Sequence, residues 1–196
     1  MMVIYATQEI GMSSWIPTYA IKAGVTDYAR AGIYSMYFWV PSCLFRLIWL
    51  AVPLSFDQKL RTIVVGLVLT TSVGLFLQLI GRYDWVCVVG PVSSGILLSN
   101  LYAFFLALPV QKGFVFTSSN SAHLVIANCL GEGLLITPLG WSMGFWGAGS
   151  LMVALWLLSG LLWYCYGATL GSLEKDHNEH RERLLQHADS SLIELK

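Results

Sequence analysis

The chain has 196 residues, of which 56% are hydrophobic and only 11% are charged. Soluble domains carry about 25% charged residues, so this composition excludes a soluble domain and predicts an integral membrane protein. The formal net charge is +0 at pH 7, which gives a nucleic-acid partner no electrostatic support. The lipid bilayer is therefore the first partner that the sequence predicts.

Six apolar segments follow one another along the chain, each with a length of about 20–23 residues, as a membrane helix requires. They comprise residues 1–20, 32–54, 60–80, 86–108, 121–140 and 147–169. A helix of that length matches the hydrocarbon core of a bilayer, whereas the strands of a membrane barrel would alternate apolar and polar residues. We therefore predict an all-α, polytopic membrane bundle with six transmembrane helices over residues 1–170.

The composition changes at Gly171, and residues 171–196 are predicted to form a polar tail with a short helix from Asn178 to Gln186. Six spans place both termini on the same side of the membrane. That side holds seven basic residues and the other side three, namely Lys59, Arg61, Lys112, Lys175, Arg181, Arg183 and Lys196 against Lys22, Arg30 and Arg82. Because basic residues accumulate on the cytoplasmic side, we expect cytoplasmic termini. The expected location of this multi-pass protein is the plasma membrane.

The fifth segment carries an acid near its middle, Glu132. A charge at that depth costs roughly 2.5–3.5 kcal/mol on insertion scales and by default indicates a functional site. Asn128 lies one helical turn earlier, so the two side chains can meet or share a ligand. Gly131 and Gly133 leave room for a neighbour, and Pro138 is predicted to kink the helix just beyond the acid. The alternative is a structural glutamate that joins two helices by a hydrogen bond.

The first segment carries a polar and aromatic stripe with a second acid, Glu9, beside it. Residues at three- and four-residue steps share one helix face, and the stripe consists of Tyr5, Gln8, Met12, Trp15 and Tyr19. Polar tips for hydroxyl groups and rings for C–H faces suit a sugar. The alternative is an aromatic belt at the membrane interface.

The polar residues are concentrated in the first, second, fourth and fifth segments, which are predicted to line the interior of the bundle. Segments three and six are predicted to support it from outside, as in a pair of three-helix repeats. Arg46 is expected to cap helix carbonyls or to pair with a loop acid. Asn100 is a ligand contact or an interhelical hydrogen bond, and His123 lies near the interface.

Motifs of hydrolases, metalloproteases and phosphate loops are missing from the sequence, and its four cysteines are too far apart for a zinc site. We therefore expect neither an enzyme nor a bound cofactor. An intramembrane enzyme that uses His123 and Glu132 is the remaining alternative of that class.

Five short motifs occur in order between residue 1 and about residue 168. They are Glu9-x-x-x-Ser13-x-Trp15, Tyr37-Phe38-Trp39, Arg46-Leu47 with Pro53-Leu54-Ser55, Gly95-x-x-x-Ser99, and Gly131-Glu132-Gly133 with Pro138 and Gly140. In this order they resemble helices of the C-terminal half of a major facilitator superfamily transporter. The likeness is to the sodium-dependent glucose transporter-like group, which is related to fucose permeases. Phe45 departs from that group, which has a glycine before the arginine.

The resemblance implies symport of a sugar or similar small polar solute with a coupling Na⁺ or H⁺, by alternating access between two six-helix halves. The acids expected to couple the cation are Glu9 and Glu132. The expected solute contacts are Gln8, Trp15, Asn100 and Asn128. Such a transporter has six further helices, so we expect a second half or a second copy as partner. The alternative is a truncated, non-transporting half-bundle that pairs with and regulates a full-length transporter.

Overall fold

A computed structural model describes residues 1–52, 55–111 and 117–169, and within these ranges the chain forms helices and short turns without a strand. The predicted all-α class is therefore confirmed. The helices are α1 (Met2–Lys22), α2 (Gly32–Ala51), α3 (Phe56–Leu79), α4 (Tyr83–Leu98), α5 (Leu101–Gln111), α6 (Ser118–Leu130), a π-helix (Gly131–Leu135), α7 (Ile136–Trp146) and α8 (Ser150–Thr169). The predicted features at Pro53-Leu54, at Lys112 and in the tail 171–196 lie outside the described residues.

Within the described residues, four helical stretches are long and apolar enough to cross a membrane, namely Asp57–Leu79, Tyr83–Ala107, Ser121–Trp146 and Ser150–Thr169. They coincide with the third to sixth predicted segments and are what a multi-pass membrane protein requires. The first two predicted segments are helical as α1 and α2 but fall outside this set. In α1 the reason is the polar content, since Gln8 and Glu9 lie among several hydroxyl-bearing and aromatic residues.

The chain divides into two compact units, Met1–Leu162 and Trp163–Lys196. The described part of the second unit is the last two turns of α8, where the Thr169 hydroxyl donates to the Cys165 carbonyl at 2.7 Å. The predicted boundary between bundle and tail, at residues 170 and 171, lies outside the described residues.

Helix α1 is at the centre of the first unit, where it contacts α2, α4, α5, α6, the π-helix and α7. Large side chains on its buried face, including Tyr5, Ile16 and Tyr19, are almost fully enclosed. Helix α3 packs against α4 and α5. The polar and aromatic stripe predicted on α1 is thus largely part of the packed core.

Two glycines let helices of the first unit approach each other at the backbone. A Cβ atom on Gly131 would collide with the Val3 carbonyl oxygen of α1, and one on Gly95 would collide with the Phe38 carbonyl oxygen of α2. Small residues at such positions replace side-chain contacts by backbone contacts. The motif Gly131-Glu132-Gly133 therefore brings its acid close to α1.

The prolines of the helices leave carbonyl groups that need other donors. Pro17 has no N–H, so the Ser13 carbonyl lacks its usual partner, and the Ser35 hydroxyl of α2 donates to it at 2.7 Å. Pro138 lies just after the π-helix. The predicted irregularity thus falls on the turn of Glu132 itself, and π-helical segments are frequent at functional sites.

Candidate functional site

Glu9 lies on α1 and is held by two side chains. The Tyr5 hydroxyl, one helical turn earlier, donates to Glu9 Oε2. Arg46 of α2 approaches from the other side, with its Nη2 atom 3.7 Å from Glu9 Oε1. The Glu9 side chain is 12% exposed and the Arg46 side chain 50%. The carboxylate is therefore nearly enclosed, while the guanidinium borders the surface of the bundle.

Arg46 also binds the end of α4. Ser99 and Asn100 form a turn between α4 and α5, although Ser99 keeps right-handed helical dihedral angles, with φ -48° and ψ -39°. There the Arg46 Nε–H donates to the Ser99 carbonyl at 2.9 Å, and the Asn100 amide donates to the Arg46 carbonyl at 3.2 Å. Carbonyls at a helix C-terminus lack partners and carry partial negative charge. Arg46 therefore both caps a carbonyl and pairs with an acid, and that acid is Glu9 rather than a loop residue.

Glu132 lies in the π-helix and is exposed. The Asn128 amide, one turn earlier, donates to Glu132 Oε1 at 2.5 Å, so the predicted contact between these two side chains is present. In residues 1–52, 55–111 and 117–169 no basic side chain forms an ion pair with Glu132. Its charge is close enough to Glu9 for the two carboxylates to repel each other.

Thr7 joins the two turns that carry these acids. Its hydroxyl lies 2.8 Å from the Val3 carbonyl of its own helix and 3.1 Å from the Gly131 carbonyl of the π-helix. No local sequence pattern marks Thr7, because its second partner, Gly131, is remote in sequence. The Tyr5–Glu9 contact, by contrast, has the four-residue spacing of helix neighbours and was detectable.

Gln8, a predicted solute contact, is 2% exposed. Its amide nitrogen donates to the Ser159 hydroxyl at 2.6 Å and to the Leu155 carbonyl at 3.3 Å, both on α8. Its Oε1 atom has no partner within the described residues. Gln8 thus faces α8, whereas the neighbouring Glu9 faces α2.

Trp15 and Asn100 are both engaged with helix carbonyls. The Trp15 indole N–H donates to the Ile136 carbonyl at 3.2 Å, and its ring covers Gly140. Asn100 lies beside Arg46, as described above. The structure therefore places Asn128 with Glu132 and Asn100 with Arg46, while Gln8 and Trp15 contact α8 and α7.

The arrangement contains two kinds of acid on adjoining helices: a paired, enclosed carboxylate at Glu9 and an exposed one at Glu132. Among the residues that the structure describes, no group of three or more histidine, cysteine or acidic side chains is placed to hold a metal ion. Comparisons with protein-family models, curated proteins and solved structures find no match to the chain. The chemistry of the arrangement itself therefore carries the functional argument.

Proposed function

We propose that the chain is a six-span membrane bundle that forms one half of a secondary transporter of the major facilitator type. The observation that carries this proposal is the pairing of Glu9 with Arg46 next to Glu132 and Asn128, on helices of an otherwise apolar chain. Ionisable groups in membrane helices are costly, and they are retained mainly along substrate or ion pathways. Helices α1 and α2 count as spans in this proposal, since a helix that lines a pathway is less apolar than one facing lipid.

The proposed solute is a sugar or a similar small polar molecule, moved with Na⁺ or H⁺ by alternating access. Carboxylates accept hydrogen bonds from hydroxyls, and amides both accept and donate them. Asn128 lies beside Glu132, and Asn100 lies beside Arg46. Gln8 and Trp15 remain proposed solute contacts. To bind the solute, Gln8 must first give up its hydrogen bonds to α8, and Trp15 its hydrogen bond to α7. Glu9 and Glu132 are the residues proposed to couple movement of the cation to movement of the solute.

A partner bundle belongs to this proposal, because Glu132 is exposed and Arg46 is half exposed. Charged side chains that face lipid are unfavourable, so a second six-helix half or a second copy should cover them. Helix α2 carries an apolar groove of about 300 Å³ that suits such packing, lined by Ile33, Met36, Tyr37, Val40 and Pro41. The same exposure favours the alternative function, a non-transporting half-bundle that pairs with and regulates a full-length transporter.

Solute uptake and the mass of the assembled protein, which gives its oligomeric state, should be measured together on the purified chain in liposomes. We expect concentrative uptake of radiolabelled hexoses, under a Na⁺ or proton gradient, from preparations in which the chain is dimeric or bound to a second half. Stable association without uptake would favour the regulatory alternative. A monomer that accumulates sugar would contradict the need for a partner.

The proposed orientation has cytoplasmic termini, in line with the distribution of basic residues. On a cysteine-free background, Tyr83→Cys should react with an impermeant thiol reagent added to intact cells, and Gln58→Cys should not. Both positions lie in the first turn of a helix, at opposite ends of α3. Labelling at position 58 without labelling at position 83 would reverse the orientation.

A further inference from the structure

Arg46 is held from two directions at once. Its Nε–H donates to the Ser99 carbonyl at the end of α4, and its Nη2 atom pairs with Glu9 of α1. The planar guanidinium presents several donors in a fixed fork, which a lysine ammonium cannot reproduce. One side chain of α2 therefore fixes the position of an α1 carboxylate relative to the α4–α5 joint.

The two acids differ in how far their charges are compensated. Both Glu9 oxygens are engaged, one by the Tyr5 hydroxyl and one by Arg46. The charged and titratable groups that face Glu9 are Tyr5 on α1, Arg46 on α2 and Glu132 on the π-helix. Glu132 has an amide partner, Asn128, and no basic partner within the described residues. A cation arriving at Glu9 must displace a guanidinium, whereas one arriving at Glu132 meets an uncompensated carboxylate.

We propose that Arg46 is a positioning residue that keeps Glu9 paired and anchored to the end of α4, so that Glu132 alone takes the exchanging cation. This inference rests on the proposed transport function and narrows it, because it divides roles that the sequence assigned equally to two acids. Glu9 and Arg46 then contribute a fixed, internally neutral pair. Glu132 contributes the charge that changes during the cycle.

A double-mutant cycle on the purified chain in detergent tests the pair without requiring transport. Glu9→Gln and Arg46→Gln each leave one charge uncompensated, whereas the double variant leaves none. We expect each single substitution to lower the unfolding temperature by about 2–4 °C, and the double variant to recover most of that loss. Losses that simply add in the double variant would overturn the role of Arg46.

Two further variants separate anchoring from charge. Arg46→Lys keeps the charge but makes only one of the two contacts, so it should lie between Arg46→Gln and the wild type. The exchanged pair, Glu9→Arg with Arg46→Glu, places a carboxylate at the negative end of α4 and should not recover stability. Full recovery by the exchanged pair would refute anchoring to α4.

The cation assignment is tested by thermal unfolding in NaCl against choline chloride. Stabilisation by Na⁺ should be lost in Glu132→Gln and retained in the variant that combines Glu9→Gln with Arg46→Gln. Stabilisation that is retained in Glu132→Gln and lost in the combined variant would place the cation at Glu9 and overturn the assignment. A wild-type chain that Na⁺ does not stabilise would also overturn it, while uptake in liposomes judges the proposed transport and the double-mutant cycle judges Arg46 separately.

Discussion

Two buried tyrosines of α1, Tyr5 and Tyr19, donate hydrogen bonds to different kinds of acceptor. The Tyr5 hydroxyl donates to the carboxylate of Glu9, which also faces a half-exposed guanidinium. Four helical turns later the Tyr19 hydroxyl donates to the side-chain oxygen of Gln78 on α3, at 3.1 Å. The first tyrosine thus belongs to a charged cluster at the surface of the bundle, and the second to a neutral network.

The neutral network continues near the C-terminal end of α1, where the Gln78 amide donates to the Gly149 carbonyl at 3.2 Å. Lys22, an exposed cation at the same end, lies outside this network, and its ammonium donates to the Met143 carbonyl at 2.9 Å. Each side chain there has a matched partner on a neighbouring element, so this end ties helices together. The Glu9 level holds charges that cost free energy in an apolar bundle, which indicates function rather than stability.

The largest expected effect falls on Glu132, the acid with no basic partner in the described part of the chain. Glu132→Gln retains size and hydrogen bonding but removes the ionisable group. In the chain assembled with its partner half, we expect normal membrane insertion and a fall in concentrative uptake of at least about tenfold, or about 1.4 kcal/mol. Exchange of solute down its gradient should survive.

Glu132→Ala separates this role from a structural one. If Glu132 only joins helices, the glutamine variant should transport normally and the alanine variant should fold poorly. Uptake against a gradient, normalised to surface protein, compares the wild type with both variants. Wild-type concentrative uptake by Glu132→Gln would remove Glu132 from the mechanism.

The close approach of the π-helix to α1 should be the next most sensitive feature. A Cβ on Gly131 would meet the Val3 carbonyl oxygen and the Ala6 side chain, and a helix backbone cannot easily shift. We expect Gly131→Ala to destabilise the bundle by about 1–3 kcal/mol, as overpacking does. Gly133→Ala is the matched control, because nothing lies within 4 Å of its Cβ position.

The neutral network offers a milder version of the same experiment. A Cβ on Gly149 would lie 2.8 Å from Nε2 of Gln78, the flexible end of a side chain. Gly149→Ala should therefore cost less than Gly131→Ala in thermal unfolding and more than Gly133→Ala. A larger loss at Gly149 would show that the neutral end, rather than the charged level, is the more tightly packed.

The two tyrosines give the most direct comparison, because the same substitution removes one hydroxyl at each level. A hydrogen bond to a charged group contributes about 1.5–3 kcal/mol and a neutral one about 1 kcal/mol. We expect Tyr5→Phe to lose more stability than Tyr19→Phe in thermal unfolding. Neither variant should alter the cation dependence of uptake, because the cation is assigned to Glu132. Equal losses of stability in the two variants would contradict the distinction between the two levels.

The sequence predicted the elements well because apolar runs of membrane length leave the chain few alternatives to helices. It did not predict the interruption at Ser99 and Asn100 inside the fourth segment, since that end of α4 is stabilised by Arg46 from another helix. The π-helix was foreseen only as a kink near Pro138. Its position depends on contact with α1, which local composition does not encode.

In the candidate site, contacts within one helix could likewise be predicted from the sequence, whereas contacts between helices could not. The Asn128–Glu132 contact followed from four-residue spacing on one helix. The Glu9–Arg46 pair joins residues on different helices, and no local pattern specifies which acid an arginine in an apolar helix will meet. Gln8 was grouped with the solute contacts because helix periodicity reveals a shared face but not which neighbour packs against it.

The smallest expected effect concerns Lys22, which resembles Arg46 in one respect. Both cations donate to a main-chain carbonyl in the C-terminal part of another helix, Lys22 to Met143 of α7 and Arg46 to Ser99 just beyond α4. Lys22→Met keeps the apolar stem and removes the charge. Because exposed charges near helix ends contribute about 0.3–1 kcal/mol, we expect a loss within that range and no change in the cation response.

Lys59 extends the test, since its ammonium donates to the Trp49 carbonyl near the end of α2 at 3.0 Å. Lys22→Met and Lys59→Met should therefore lose similar, small amounts of stability in thermal unfolding. Arg46→Gln should lose more than either, because it also leaves Glu9 without its counter-ion. The additional loss of stability in Arg46→Gln measures what the ion pair with Glu9 contributes beyond the contact with the Ser99 carbonyl. If all three variants lose the same amount of stability, Arg46 acts only as a helix cap. The ion pair with Glu9 would then add nothing to the stability of the bundle.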